Sequence, residues 1–168
     1  MPNLYHYIES KRELWIAIRK RYFKELRDVL NTIIENHKGN YLDLFIELAT
    51  AFLEFSEADY RRLDFIFLTP IPHLEKLGPF EKTYKPYNLL VIINDVIKRA
   101  IEAGEKKEKD DIKLTFFFYE INLGVAIVER NIVKINEDIS EPTKIASRAI
   151  NIKENRKFFI DQLRKFLI

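Results

Sequence analysis

The sequence of 168 residues contains no cysteine. Disulfide bonds, thiolate metal ligands and cysteine nucleophiles are therefore excluded. This absence suits a reducing compartment, and we expect a cytoplasmic protein. No run of about 18 apolar residues occurs, so the sequence predicts no transmembrane helix and no membrane partner. Charged residues from Glu9 onward argue against a signal peptide.

Glycine and histidine are also scarce, with 4 and 3 copies. The glycines are spread singly, so the chain has no phosphate-binding loop and no G-x-S-x-G nucleophile turn. The histidines, His6, His37 and His73, show no metal-ligand spacing. His73-Leu74-Glu75 matches half of a zinc deaminase signature, but the cysteines of the other half are missing. We therefore expect no enzyme, no metal and no cofactor.

The residues that are abundant describe a soluble globular protein. Hydrophobic residues make up 47% and charged residues 32%, which is typical of a single folded domain of this length. The net charge of +2 is too small to mark the whole chain as a polyanion binder.

Apolar residues recur with helical spacing along the chain, which predicts an all-α bundle. The segment over residues 41–56 is apolar around most of its circumference, so we expect this helix to lie at the centre of the bundle. Gly39 and Gly104 are predicted helix stops, and Asn40 and Asp111 are predicted amino-terminal caps. Residues 69–83, with three prolines, form the predicted long loop. The predicted helices cover residues 2–7, 11–36, 41–56, 57–68, 84–103, 112–133, 141–150 and 153–167.

The amino-terminal segment carries the most specific pattern. Ser10 and Glu13 form a capping box, S-x-x-E, that predicts the start of a long amphipathic helix at Lys11. Just before it stands a short aromatic run, Leu4-Tyr5-His6-Tyr7-Ile8.

This run, with Ser10-Lys11 and Glu13-Leu14 after it, resembles the end of the DNA-binding domain of TetR/AcrR transcriptional regulators. In that family the recognition helix closes with a Leu-Tyr-aromatic-aromatic-Phe pattern, a Ser-Lys turn follows, and the next helix opens with Glu-Leu. Here Ile8 replaces the phenylalanine. The two helices that precede the recognition helix in the family have no counterpart in this sequence.

The resemblance implies a TetR-like helical bundle in which residues 1–10 close a helix-turn-helix unit and residues 11–168 form a ligand-binding and dimerisation domain. Tyr5, His6 and Lys11 would contact DNA phosphates, and Asn3 would reach a base edge. The alternative for Tyr5 and Tyr7 is packing of the short helix onto the long one, and we favour that alternative for Tyr7. Because a recognition helix needs its partner helices, we expect this polypeptide alone to bind DNA weakly or not at all.

Aromatic residues and three polar residues inside apolar helical runs are the candidates for a cavity that binds an apolar small-molecule effector. The alternatives are ordinary core packing for the aromatics, helix–helix hydrogen bonds for the two asparagines, and a Glu120 that faces solvent or pairs with a basic residue. The candidate ligand-binding residues are Phe52, Phe55, Tyr60, Phe67, Tyr87, Asn94, Phe117, Glu120 and Asn122.

A homodimer is expected through the last two long helices. Gly124 in mid-helix costs about 1 kcal/mol relative to alanine, which close approach of another helix would offset. Phe158 and Phe159 are adjacent, so one can fill the core while the other faces a partner. The alternative is one intramolecular contact. The candidate interface residues are Phe116, Gly124, Phe158, Phe159, Leu163 and Phe166.

Two functions follow from these patterns. The first is a TetR-type transcriptional regulator that senses an apolar small molecule and binds a DNA operator when its helix-turn-helix is complete. The resemblance implies that this regulator is a repressor. The alternative is a stand-alone helical module that binds a small molecule or dimerises and does not bind DNA.

Overall fold

The computed structural model describes residues 10–72, 79–85, 88–106, 110–138 and 151–167. All regular secondary structure in these ranges is helical, which confirms the predicted all-α fold. The predicted helices over residues 2–7 and 141–150 lie outside the described residues. The helices are α1 (Lys11–Asn36), α2 (Tyr41–Ala58), α3 (Tyr60–Leu63, continued by a π-helical segment Asp64–Leu68), α4 (Pro79–Lys82), α5 (Asn88–Glu102), α6 (Asp111–Asp138) and α7 (Ile152–Leu167).

The starts of α1 and α2 agree with the sequence analysis. The Ser10 side chain accepts a hydrogen bond from the Glu13 amide at 3.1 Å, which is the serine half of the predicted capping box. The Asn40 side chain accepts from the Asp43 amide at 2.8 Å. These two bonds satisfy amide groups that have no partner inside the helix, so the local sequence sets where both helices begin.

The start of α6 differs by one residue from the prediction. Asp110, not Asp111, accepts the hydrogen bond from the Lys113 amide, at 3.0 Å. Asp111 lies inside the helix and accepts instead from Asn94 of α5, at 2.9 Å. Both residues can cap a helix, and the contact with Asn94 decides between them. The helix also continues to Asp138, beyond the predicted end at residue 133.

The two predicted glycine stops behave differently. Gly104 has a φ of 75°, the left-handed conformation expected of a glycine after a helix. Gly39 is not among the described residues with positive φ, so its predicted role is wrong. The last turn of α1 closes at His37, whose amide donates to the Ile33 carbonyl at 2.9 Å. Its ring contacts the Asn40 carbonyl at 2.9 Å across the turn.

The predicted helix over residues 57–68 is interrupted. Asp59 adopts an extended backbone, and its side chain accepts from the Arg61 amide at 3.0 Å, so it ends α2 and starts α3. A π-helical segment follows, and π-helical turns are frequent at functional sites. This segment places Phe65 and Phe67 against α1.

Helix α2 packs against α1, α6 and α7, and α5 packs against α6. The central position predicted for this apolar segment is therefore confirmed. The main core lies where α2 meets its neighbours, and its most deeply buried members come from α1, α2 and α5. They are Leu26, Phe45, Leu48, Ala49, Val96 and Ala100, each no more than 2% exposed.

Candidate functional site

A pocket of about 310 Å³ lies between α1, α5 and α6, closed on one side by the π-helical segment. We call it the Arg19 pocket, after the charged residue among its described lining. Its volume is at the lower end of the range for small-molecule sites, roughly 300–1,000 Å³. It is lined by Arg19, Phe23, Phe67, Ile71, Tyr84, Leu89, Leu90, Phe116 and Tyr119.

The aromatic walls of this pocket are built by ring contacts between separate elements. Phe67 is their centre, with ring centroids 5.8 Å from Phe23 on α1 and 6.3 Å from Tyr119 on α6. It also lies 5.9 Å from Phe52 on α2. Edge-on and tilted contacts of this kind add about 0.5–1.5 kcal/mol per pair to the burial of apolar area. These contacts stabilise the walls by linking α1, α2 and α6 through Phe67.

Arg19 places a guanidinium within these apolar surroundings. Trp15, Arg19 and Phe23 are spaced four residues apart on α1, so they share one face of the helix. The guanidinium carbon lies 4.5 Å from the Trp15 ring centroid and 5.8 Å from that of Phe23. Burial lowers the pKa of Arg19 below its ordinary value, because the charged form loses hydration. The pocket thus combines apolar walls with one poorly solvated cation.

A second, smaller pocket of about 30 Å³ adjoins the Arg19 pocket and shares Leu89 and Tyr119 with it. Asn122 lies at its wall and is 4% exposed. Its amide nitrogen donates to the Phe118 carbonyl at 2.7 Å, while its Oδ1 has no hydrogen-bond partner in the described part of the chain. The space is about that of one water molecule, so the larger pocket is the one that fits an organic ligand.

A wider cleft of about 560 Å³ lies beside the pocket and is rich in positive charge. Its cations include Arg21 and Lys24, which pair with Glu25 and Asp28 one turn along the same exposed helix face. Pairs of this kind contribute only a few tenths of a kcal/mol and are typical of solvated surfaces. The cleft therefore gives less reason to expect a ligand than the Arg19 pocket does.

Three of the predicted ligand residues lie at these two adjoining pockets. Phe67 lines the Arg19 pocket, and Phe52 and Asn122 line its smaller neighbour. Tyr87 lies outside the described residues.

The remaining predicted ligand residues lie elsewhere. Asn94 donates to Asp111 at 2.9 Å and to Thr115 at 3.0 Å, a contact between α5 and α6. Glu120 is exposed. Phe117 lines one space between α2, α5 and α6 and another between α6 and α7.

The last two, Phe55 and Tyr60, contact other parts of the bundle. The Phe55 ring lies under the Arg62 guanidinium at 5.9 Å. The Tyr60 hydroxyl is buried, and the Tyr60 ring packs against a small cluster around Leu53 and Leu63.

Sequence reasoning missed Arg19 itself. The i, i+4, i+8 spacing of Trp15, Arg19 and Phe23 was visible, and it indicates that the guanidinium lies between two rings. The spacing could not reveal that no carboxylate approaches Arg19 from another helix, because that depends on how the helices pack.

The residues proposed for a dimer interface are divided between surface and core. Phe158 is 66% exposed and Phe116 is 48% exposed. Phe159 is partly buried against the main core, so the two adjacent phenylalanines do face different sides. Leu163 is 3% exposed and belongs to the core of its own chain, so it is not part of the exposed face. The Phe166 side chain lies outside the described residues.

Gly124 lies on the exposed side of α6. A Cβ atom added there would meet no atom within 4 Å. The close helix approach that the sequence predicted for this glycine is therefore not made by the described part of its own chain.

Of the residues proposed to contact DNA, Asn3, Tyr5 and His6 lie outside the described residues. Lys11 is exposed in the first turn of α1. Among the described residues, no group of histidine, aspartate and glutamate side chains could hold a metal ion. No described helix is both long and apolar enough to cross a membrane.

Comparisons of the chain with protein-family models, with curated proteins and with solved structures give no significant match.

Proposed function

We propose that this protein is a ligand-sensing transcriptional regulator of TetR type that binds an apolar small molecule in the Arg19 pocket. The observation that carries the proposal is the pocket itself, about 310 Å³ with aromatic walls, between helices α1, α5 and α6. Sites for small molecules are usually mostly apolar, with a few placed polar groups, and this lining has that composition. The resemblance of residues 4–14 to the TetR/AcrR pattern supplies the regulatory part of the proposal.

Helix α1 is the element that would couple the Arg19 pocket to the amino-terminal segment that resembles a DNA-binding domain. It runs without interruption for 26 residues, about 39 Å at 1.5 Å per residue. Arg19 lies about 14 Å along this helix from Ser10. Ser10 in turn follows the residues that resemble the end of a recognition helix. A ligand changes DNA affinity only by the difference between its affinities for the two arrangements of the bundle. A tilt of α1 caused by ligand contact with Arg19 or Phe23 would supply that difference.

Dimerisation belongs to the same proposal. Ile112, Phe116 and Val128 of α6 are 54%, 48% and 57% exposed, and Gly124 of the same helix is exposed as well. These positions and Phe158 on α7 are exposed apolar sites, and a second copy of this chain that covered Phe158 and Phe116 would remove two aromatic rings from water. Phe158→Asp should convert a dimer to a monomer in sedimentation, whereas Val29→Asp, on α1 at 41% exposure, should not.

The binding part is tested with variants that fill the pocket. Leu90 lines the Arg19 pocket, and its neighbour Val91 is 55% exposed and lines none of the pockets described above. A panel of apolar compounds, neutral and acidic, is screened by the fluorescence of Trp15, the single tryptophan. Leu90→Phe should weaken binding at least tenfold and Val91→Phe should leave it unchanged. Equal binding by both variants would contradict the pocket assignment.

The regulatory part is tested with DNA. DNA fragments that bind the protein are selected from a genomic library at a fixed salt concentration. Fluorescence polarisation then measures the affinity of the protein for these fragments with and without a bound compound. Specific binding that the compound weakens supports a repressor. We expect this polypeptide alone to bind DNA weakly or not at all, so the same measurement is made on a chain in which two preceding helices complete the helix-turn-helix. Ligand binding with no specific DNA binding by that completed chain contradicts the regulatory part and supports the alternative of a stand-alone small-molecule module.

A further inference from the structure

Arg19 lacks an anionic partner within the described part of the chain. It is half-buried, its Nε is shielded from solvent, and no described residue accepts a hydrogen bond from that Nε. No described carboxylate lies within ion-pair distance of its guanidinium, which contacts the rings of Trp15 and Phe23 instead. Removing a charge from water without pairing it costs free energy, and aromatic faces return only part of it.

The other half-buried arginines of the described chain are all paired. Each has a carboxylate within 4.0 Å, so the fold elsewhere provides a partner when it buries a guanidinium. The paired arginines are Arg12 with Glu81, Arg27 with Asp28, Arg62 with Glu25, Arg130 with Asp64 and Arg156 with Glu129. Arg19 is therefore an exception in a chain that otherwise follows the rule.

The place of this exception is the Arg19 pocket. Its other described lining residues are aromatic or aliphatic, among them Phe67, Leu90 and Tyr119. A molecule that occupied the pocket would bring its apolar body against these side chains and one polar end against the guanidinium. The planar fork of a guanidinium matches the two oxygens of a carboxylate. Since Arg19 is the one cation among the described lining residues, one negative charge balances the site, which favours a carboxylate over a phosphate dianion.

We infer that the Arg19 pocket selects an apolar monocarboxylic acid, whose carboxylate pairs with Arg19 while its hydrocarbon part lies against Phe67 and Tyr119. This inference rests on the proposed function and adds to it the chemical class of the effector. The carboxylate of the effector would therefore act on α1 through Arg19. Helix α1 begins after Ser10, at the end of the segment that resembles a DNA-binding domain.

The test uses probes that differ only at the polar end. Decanoate and decanol each have an unbranched ten-carbon chain, and calorimetry with the 168-residue protein at pH 8 measures both affinities. Hydrogen bonds to charged groups favour decanoate by roughly tenfold to a hundredfold. Since Trp15 is 7% exposed and stacks on Arg19, its emission should also shift with decanoate.

Variants assign that preference to Arg19. Arg19→Met should bind decanoate no more tightly than decanol, with decanol affinity within threefold of the unmodified chain. Arg19→Lys keeps the charge and should retain part of the preference, which guards against a folding defect in the methionine variant. Arg99→Met removes an exposed arginine from α5 and serves as the matched control, with both affinities unchanged.

The outcomes separate this inference from the function on which it rests. Equal affinities for decanoate and decanol, or a preference that survives Arg19→Met, would overturn the inference while leaving ligand binding in place. Failure of the whole apolar panel, acids included, to bind would overturn both.

Discussion

Two half-buried arginines in this chain have opposite surroundings. Arg156 on α7 donates to Glu129 of α6 at 2.8 and 2.6 Å, to Glu57 of α2 at 2.6 Å and to the Leu53 carbonyl at 3.3 Å. Arg19 on α1 is surrounded by aromatic rings and lacks a carboxylate in the described part of the chain. The first region satisfies its charges internally, whereas the second does not.

The contrast between the paired Arg156 and Arg19 favours the surroundings of Arg19 as a binding site. Arg156 joins α7 to α2 and α6, and its bonds account for its burial without any other molecule. A similar burial at Arg19 has no such account, because the contacts present return less free energy than a carboxylate would. Stability explains the first arginine, and our proposal is that ligand binding explains the second.

The largest expected effect comes from breaking the satisfied region. Arg156→Met leaves Glu129, 2% exposed, as a buried charge without its partner, and we expect a loss of about 3–5 kcal/mol in the free energy of unfolding. Urea unfolding measures it. Arg164→Met, on the same helix but paired with Asp43 at half-exposed positions, should lose less than about 1 kcal/mol. Equal losses would show that the Arg156 cluster does not hold α7 in place.

Removing the stranded charge should reverse most of that loss. Glu129→Leu in the Arg156→Met background replaces a buried ion pair with apolar side chains, which is often neutral or stabilising, so we expect recovery of about 2–4 kcal/mol. Glu57→Leu in the same background is the control, since Glu57 is 48% exposed and its charge stays hydrated. Recovery by the control as large as by Glu129→Leu would place the cost outside Glu129.

Much of the fold could be predicted from local pattern because local physics sets it. The caps at Ser10 and Asn40 and the stop at Gly104 depend on a few neighbouring residues, and all three are observed. The break at Asp59 was missed because the apolar pattern continues through it, while an aspartate cap competes with the helix. The sequence pattern predicts the cap at Asp111, whereas Asp110 caps α6, because the contact of Asp111 with Asn94 is not visible in sequence.

The site was less accessible to sequence reasoning than the fold. Phe67 and Asn122 were named because aromatic or polar residues inside apolar runs suggest a cavity, and both lie at the adjoining pockets. Asn94 showed the same signal but pairs with Asp111 and Thr115. Which polar residue finds a partner depends on contacts between distant segments, such as Arg156 with Glu57, 99 residues apart.

A smaller effect concerns the pH dependence of the Arg156 region. Burial raises the pKa of Tyr60 above its ordinary value of about 10, and the neighbouring Glu129 charge adds to the rise. The unfolded chain therefore loses this proton first as pH increases, so stability is fully present below about pH 10 and is lost as pH rises through the folded-state pKa. Tyr60→Phe should remove a slope of up to about 1.4 kcal/mol per pH unit in urea unfolding between pH 9.5 and 11. Identical slopes in both proteins would show that Tyr60 ionises equally in the folded and unfolded chains.

The smallest expected effect on stability is also the most decisive for the comparison. Arg19→Met removes a poorly hydrated charge but keeps a long apolar side chain against Trp15 and Phe23, so relief of the burial cost should match or exceed the lost cation–π attraction of about 0.5–1 kcal/mol. We expect the free energy of unfolding to stay the same or rise by less than about 1 kcal/mol, with Arg99→Met near zero as the exposed control. A loss of several kcal/mol, like that expected for Arg156→Met, would make Arg19 a structural residue.

Decanoate should raise the melting temperature of the unmodified chain and not that of Arg19→Met, because a ligand stabilises only the folded state that it binds. A residue whose removal spares stability but abolishes this ligand effect is held in the chain for binding.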